Sequence, residues 1–275
     1  MARSVSSAVP PADFQAVFRE GLLKGNAALV TGGGTGIGRA ISLALAEAGA
    51  DIVIVSRDPE HLTATRGEIE ALGRRAHSCA CDVRDAGAVE SMVRGSEAAL
   101  GRLDILVNNA AGNFLCAAES LSANGFRAVL EIDLVGSFLC SRAAYPLLKR
   151  QGGVIINITA TLAELGVPQQ VHAGSAKAGV DAMTRHLAAE WGPHGVRVVA
   201  IAPGPIGGTE GMRRLGRGRE EAIARAIPLQ RLGRPEEIAS LAVYLASGAA
   251  AWITGTTFIV DGGQRLRVRS WAEDE

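Results

Sequence analysis

Short apolar runs alternate along this chain with longer stretches in which apolar and polar positions recur at helical spacing. The runs at 27–30, 51–55, 75–79, 103–107, 154–158, 196–201 and 257–260 predict seven strands. Several are apolar almost throughout, Asp51-Ile-Val-Ile-Val55 and Val154-Ile-Ile-Asn-Ile158 among them, as strands covered on both faces must be. Helices fit the gaps at 36–48, 59–72, 86–100, 123–149, 173–191 and 236–246. Strand and helix in alternation predict an α/β fold: one doubly wound domain, a seven-stranded parallel sheet with helices on both faces, and ligands at the carboxyl ends of the strands. The segment 205–231 belongs to no strand and carries Gly207, Gly208, Gly211, Gly216 and Gly218; it reads as a mobile substrate loop with some helix in it. Residues 1–20 read as an N-terminal arm, 21–264 as the domain and 265–275 as a tail.

Composition narrows the partners. Lys plus Arg and Asp plus Glu both total 28 in 275 residues, so no global field exists to hold nucleic acid or an anionic membrane, and anion recognition must be local. No stretch has the length and apolarity of a membrane span. The cysteines, Cys79, Cys81, Cys116 and Cys140, form no Cys-x-x-Cys pair, and Cys79 and Cys81 read as small buried hydrophobes. With no leader-like start and no peroxisomal address in Ala272-Glu-Asp-Glu275, the expected location is cytoplasmic. His61, His77, His172, His186 and His194 lack metal-ligand spacing, so no metal is expected. His172 alone falls near the expected site, as a substrate contact or a packed core histidine.

The first strand runs into Thr31-Gly-Gly-Gly-Thr-Gly-Ile-Gly38, which opens a helix. In that setting missing side chains let backbone N–H groups approach a dinucleotide pyrophosphate, with Gly32, Thr35, Gly36 and Ile37 as contacts. The second strand ends at Ser56-Arg57 where an acid would bind a ribose 2′-hydroxyl. A guanidinium suits a 2′-phosphate instead, so NADP(H) is favoured over NAD(H), with Arg57 as a solvated strand-end residue the alternative. Asp82 is placed to meet the adenine amino group, and Asn108-Asn109-Ala110 to line the cofactor.

These motifs, with Cys81-Asp82-Val83, Lys177, Pro203-Gly204-Pro205 and Val260-Asp-Gly-Gly263, make residues 22–263 resemble the short-chain dehydrogenase/reductase family. The resemblance implies a Rossmann-like domain, a nicotinamide cofactor and a homotetramer. It places Val83, Asn109 and Ala110 on the cofactor, Lys177 on the nicotinamide ribose, and Pro203, Gly204, Ile206 and Thr209 along the nicotinamide and pyrophosphate.

The chain departs from that family at its reactive centre. Most members carry a tyrosine four residues before the lysine, to move a proton on the substrate oxygen; here Ala173 stands there. Ala160 replaces the usual serine, and Asp133 replaces the usual asparagine. This combination, with Asn108-Asn-Ala-Ala-Gly-Asn-Phe-Leu115 and Val171-His-Ala-Gly-Ser-Ala-Lys-Ala178, resembles the peroxisomal-type 2,4-dienoyl-CoA reductases. The mitochondrial branch takes a tyrosine from the segment after the fifth strand, where this chain has Leu162. The only tyrosines, Tyr145 and Tyr244, fall in helical patterns and read as core.

The resemblance implies that Asp133 and Lys177 act together as the catalytic pair in an NADPH-dependent reduction of 2,4-dienoyl-CoA to 3-enoyl-CoA during unsaturated fatty acid oxidation. It also implies that Arg84 and Arg214 meet the coenzyme A phosphates and that Asn113 and Phe114 line the acyl path. For Asp133 the alternative is a tie to the helix backbone or to a buried water. Two other functions stay open on the sequence: another NADP(H)-dependent reduction on the same scaffold, of an activated alkene or a ketone, and a non-catalytic NADPH-binding protein.

Overall fold

A computed structural model describes residues 21–266. The expected arm at 1–20 and most of the expected tail lie outside these residues. Seven strands, β1 (Ala27–Thr31), β2 (Asp51–Ser56), β3 (Ala76–Ala80), β4 (Ile105–Asn108), β5 (Val154–Ile158), β6 (Arg197–Pro203) and β7 (Thr257–Val260), form one sheet in the order β3-β2-β1-β4-β5-β6-β7. Every pairing is parallel. The order reverses between β1 and β4, and at such a switch point the crossovers on either side diverge and leave a crevice beyond the strand ends.

Side chains of successive strand residues alternate between two cores, as a period of two requires. Ala28, Val30, Ile52, Ile54 and Ile156 pack on one face against α1 (Gly36–Glu47), α2 (Glu60–Ala71) and α9 (Pro235–Ala246), through residues such as Ile41, Leu45, Ile69 and Leu245. Ala27, Leu29, Val53, Val55 and Ile155 face the other core. There α3 (Ala86–Leu100), α5 (Gly136–Gln151) and α6 (Val171–Trp191) contribute Met92, Leu148 and Trp191. Burial on both faces explains why these strands read as continuous apolar runs.

The helix expected at 123–149 is divided. α4 (Ala123–Leu130) and α5 flank a π-helical turn, Glu131–Val135, closed by the Gly136 N–H donating to the Glu131 carbonyl five residues back. The segment 205–231 carries two short helices, α7 (Glu210–Gly216) and α8 (Glu220–Arg225). Its two ends are pinned together, because Gly207 N–H donates to the Gly233 carbonyl and Gly233 N–H to that of Pro205. No helix among the described residues is long and apolar enough to cross a membrane.

Candidate functional site

A cleft of about 410 Å³ opens at the switch point. The glycine loop, the end of β2, the turn after β3, the 109–113 segment and the start of α7 wall it. Of the expected cofactor residues, Gly32, Thr35, Gly36, Ile37, Arg57, Asp82, Val83, Asn109, Ala110 and Thr209 share this wall, and Asn113 and Arg214 join them.

The loop fits a pyrophosphate for reasons visible in its packing. A Cβ on Gly38 would lie 2.1 Å from the Gly32 carbonyl oxygen and one on Gly34 2.2 Å from that of His61, so neither position tolerates a side chain. Gly32 and Gly36 have φ of +64° and +50°. Thr35 makes no side-chain cap to α1 and the first turn holds no acid, which leaves helix N–H groups and the positive end of the dipole available to an anion. Asn109 holds the loop by donating to the carbonyls of Thr31 and Gly32 at 3.0 and 3.2 Å. Among the described residues, Arg57 forms no ion pair and is free to meet a second anionic group.

Asp82 and Arg84 pair with one another. Arg84 Nε donates to both carboxylate oxygens at 3.0 and 3.1 Å, and this contact holds the Asp82 carboxyl down at about 2. Arg84, expected on the coenzyme, is thus folded back on Asp82, and it is not part of the cleft wall. Pro203, Gly204 and Ile206 also lie off that wall. Pro203 ends β6, Gly204 packs so tightly that its Cβ would meet Asp261 Cα at 2.7 Å, and Ile206 lines a separate small cavity. Asn108 is not at the surface of the cleft either. It is buried, donating to Asn157 Oδ1 at 2.8 Å and to Ser141 Oγ at 2.9 Å, while Asn157 donates to Thr184 Oγ1 at 2.9 Å. This network ties β4, β5, α5 and α6 together, and only the fold reveals it, since nothing in the motif separates Asn108 from its neighbour.

Gly112 and Ile132 form part of the cleft wall, and Asp133, next to Ile132, is buried off that wall, as is the expected cofactor residue Lys177. Asp133 Oδ1 accepts the Gly112 N–H at 2.7 Å and Oδ2 lies 3.1 Å from Lys177 Nζ. Lys177 also donates to the Ile158 carbonyl at 3.0 Å. The pair is buried, at 2% and 8% exposure, and each ion is satisfied by a second hydrogen bond, the condition under which a desolvated pair persists. An ammonium carries three donors. Two are engaged among the described residues, which leaves one for a ligand.

Close packing brings the two side chains together. A Cβ on Gly179 would lie 2.7 Å from Leu134 Cδ2, and one on Gly136 2.6 Å from Val83 Cγ2. Bare Cα atoms therefore let α6 and the turn after β3 close on the π-helical turn. Ser137 Oγ donates to the Asp133 carbonyl at 2.6 Å and so satisfies a backbone group in the widened turn.

At the absent tyrosine's position, Ala173 is buried with Val129 and Ala176, and Leu162 packs against them. The two tyrosines are elsewhere: Tyr145 stacks on Trp191 with centroids 4.5 Å apart, and Tyr244 packs against the α1/α9 core. His172 is fully buried. Its Nε2 lies 3.0 Å from the Phe114 carbonyl, which can only accept, so Nε2 carries the hydrogen. Its ring sits 4.4 Å from that of Phe114, and Asn113 donates to Gln170 Oε1 at 2.7 Å. The 113–116 segment is thereby fastened to the start of α6. Burial pushes the Cys81 thiol up to about 11, in keeping with an inert packed cysteine. No cluster able to hold a metal occurs among the described residues.

Comparison with known proteins agrees with this architecture. The family model described as Enoyl-(Acyl carrier protein) reductase matches residues 32–265. A Pongo abelii protein named peroxisomal 2,4-dienoyl-CoA reductase, (3E)-enoyl-CoA-producing, is 49% identical over 92% of this chain and 88% of its own length. A Danio rerio protein of the same name is 49% identical over 91% of this chain and 85% of its own. Among solved structures, a 7α-hydroxysteroid dehydrogenase complexed with NADH and 7-oxo glycochenodeoxycholic acid superposes with a TM-score of 0.84. It is 32% identical and covers 88% of this chain and 94% of its own. The expectation of a cytoplasmic location is corrected by these relatives, whose names point to the peroxisome instead. An address is a short segment read by a receptor, so its absence from Ala272-Glu-Asp-Glu275 excludes no compartment. A glycine cradle at the switch point of a parallel sheet, matched in sequence and fold along nearly the whole domain, makes this chain a member of the short-chain dehydrogenase/reductase family of oxidoreductases, which use a nicotinamide cofactor.

Proposed function

We propose that the chain reduces a 2,4-dienoyl-CoA to a 3-enoyl-CoA with NADPH, in the oxidation of unsaturated fatty acids, and that Asp133 and Lys177 are its catalytic pair. The observation that carries the reading is the buried 3.1 Å contact between Asp133 and Lys177, in a site whose usual phenol is replaced by the packed Ala173. A short-chain reductase that makes an alkoxide needs an acid at the substrate oxygen, and this site has lost that group. Reduction of a conjugated thioester makes a different demand. Negative charge spreads onto the thioester oxygen, and a proton must reach the carbon beside the carbonyl.

NADPH, when bound, supplies the hydride. The chain's own part begins with position: the glycine loop and the N-terminus of α1 hold the pyrophosphate, and Arg57 meets the 2′-phosphate. Lys177 directs its remaining N–H to the ribose or to the developing charge, and Asp133 keeps the ammonium aimed. The Gly112 N–H fixes the carboxylate in turn. Together the pair is the store from which the substrate carbon draws its proton. Asn113 and Arg214 on the cleft wall, with Phe114 and Arg84 beside it, receive the acyl chain and coenzyme phosphates. A homotetramer is part of the same proposal; the half-exposed Phe138 on α5 and the unpaired edge of β7 support it as surfaces a second copy would cover.

The test is direct. The purified chain is mixed with NADPH and a 2,4-dienoyl-CoA, and cofactor oxidation and the position of the product double bond are followed. Turnover to a 3-enoyl-CoA is expected. A chain that binds NADPH yet leaves the dienoyl-CoA untouched would refute the proposal.

A further inference from the structure

The turn that follows β7 reaches across to the turn that follows β5, a contact to which the proposed chemistry gives no task. Gly262 and Gly263 carry φ of +62° and +89°, and Asp261 fixes the turn by accepting the Gly263 N–H at 2.8 Å and the Arg265 N–H at 2.9 Å. The base of the substrate loop closes on the same glycines. A Cβ on Gly262 would lie 2.9 Å from Ile227 Cγ2, and one on Gly263 2.9 Å from Pro228 Cγ. So placed, Gln264 accepts the Thr161 hydroxyl at 3.1 Å, and Arg265 Nη1 lies 3.5 Å from Glu164 Oε2. Thr161 is buried and opens one 3₁₀ turn, Thr161–Ala163. Its next residue, Leu162, packs against the cluster of Val129, Ala173 and Ala176. Bare Gly174 admits it, since a Cβ there would lie 3.3 Å from the Leu162 carbonyl oxygen and 3.7 Å from its Cδ1. Ala173 precedes Lys177 by one helical turn, so the two share a face of α6. The end of β5 is bound to the same lysine, through the Ile158 carbonyl and through Thr159 Oγ1, which donates to the Lys177 carbonyl at 3.2 Å. Leu162 and Ala173 therefore form an apolar flank beside the Asp133–Lys177 pair.

We infer that Gln264 is a positioning residue that braces Leu162 against Ala173, keeps water off this flank and so fixes which substrate carbon is protonated. The inference rests on the proposed reduction of a 2,4-dienoyl-CoA. After hydride addition at C5, the negative charge is shared by the thioester oxygen, C2 and C4. A proton on C2 leaves the double bond between C3 and C4, the 3-enoyl product. A proton on C4 leaves it between C2 and C3, the 2-enoyl product. Each route takes up one hydride and one proton and oxidises one NADPH, so only the place of the proton differs. The buried pair is a single fixed source, whereas water admitted beside it can also reach C4. A packed apolar flank offers water no polar partner and stays dry. Without the Gln264 hydrogen bond, the turn that carries Leu162 is free to lift from α6.

Single-turnover reactions of the full chain with NADPH and a 2,4-dienoyl-CoA in D₂O test this, with the positions of deuterium and of the double bond read by NMR. Wild type is expected to carry the deuterium chiefly at C2 of a 3-enoyl-CoA. In Gln264→Ala the ratio of 2-enoyl to 3-enoyl product rises about fivefold, the worth of one hydrogen bond, with deuterium at C4 and NADPH affinity unchanged. Thr161→Val gives the same shift, and the double variant adds nothing to either single one. Gln264→Glu, which still accepts the hydroxyl, restores the wild-type ratio. A lowered melting temperature with an unchanged product ratio would mark the contact as a structural tie and overturn the inference. A shift that Gln264→Glu fails to reverse would overturn it as well. The two levels of the argument separate in the wild type: formation of the 3-enoyl product keeps the proposed reduction whatever Gln264 does, and formation of neither product overturns both.

Discussion

At the glycine loop the cleft is walled by one contiguous stretch rich in bare backbone, Thr31 to Gly38, whereas beyond its Gly112 and Ile132 side two buried side chains from elements distant in sequence, Asp133 and Lys177, pair with one another. The first region works by what is missing: no Cβ at Gly34 or Gly38, no cap and no acid at the start of α1. The second works by what is paired, since Asp133 and Lys177 each require the other and a backbone partner besides. The difference teaches where damage spreads. A fault in the loop should disturb cofactor binding and packing together, and a fault in the pair should stop chemistry with the cofactor still bound.

The largest expected effect comes from the pair. Asp133→Asn should lower the turnover of a dienoyl-CoA by about 10²- to 10⁴-fold, the range for a positioned acid or base, with NADPH binding retained. Full activity in steady-state assays would remove the aspartate from the mechanism. Lys177→Met alone leaves a buried carboxylate without its cation and should cost about 3–5 kcal/mol in denaturant melts, while Asp133→Asn with Lys177→Met should recover most of that stability without activity.

Next comes the loop. Gly34→Ala places a methyl group 2.2 Å from the His61 carbonyl oxygen, so α2 or the loop must move. Overpacking of this kind costs about 1–3 kcal/mol. A lowered melting temperature together with weakened NADPH binding is expected, and wild-type values for both would show that the loop and α2 are not packed as described.

A smaller effect is expected between the two regions. His172→Phe keeps the ring contact with Phe114 and removes the hydrogen bond to its carbonyl. A loss of about 1 kcal/mol there should raise KM for the acyl-CoA about fivefold with NADPH affinity unchanged. A change in kcat alone would remove His172 from substrate positioning.

The smallest effect is in pH dependence at the cofactor end. Asp82 sits at about 2 against an ordinary 3.8, lowered chiefly by its hydrogen bond to Arg84. A carboxyl depressed on folding stabilises the protein above its unfolded value and loses that contribution as pH falls through the folded value. The stability gap between wild type and Asp82→Asn, measured by melting, should therefore be full above about pH 4 and vanish by about pH 2. A gap that persists at the acid end would show that the ion pair is not its source.

Much of the frame was legible because it depends on local signals. The apolar runs located the inner strands β1, β2, β4, β5 and β6, since burial on both faces leaves few polar positions to obscure them, while the edge strands β3 and β7 are only half-buried. Asp133 was legible as a candidate through the resemblance, because it stands where most of the family carries an asparagine. The π-helical turn that carries Asp133 was not, because its i→i−5 bond goes with close packing across Gly136 and Gly179, which the helical period does not record. The split between Asn108, drawn into the core, and Asn109, set on the cleft, was hidden for a similar reason: adjacent strand-end residues face opposite ways, and only their partners decide which way serves which role.

The sequence by itself therefore determined the sheet and the glycine loop, which residue type and local period carry, while the missing phenol and the two residues proposed to replace it were read from the family resemblance. Tertiary structure alone decided that Asp133 and Lys177 meet at 3.1 Å, that Arg84 turns back onto Asp82, and that Gln264 reaches Thr161. Each is a matter of how closely two elements approach, and that distance is set by the glycines and packed side chains between them.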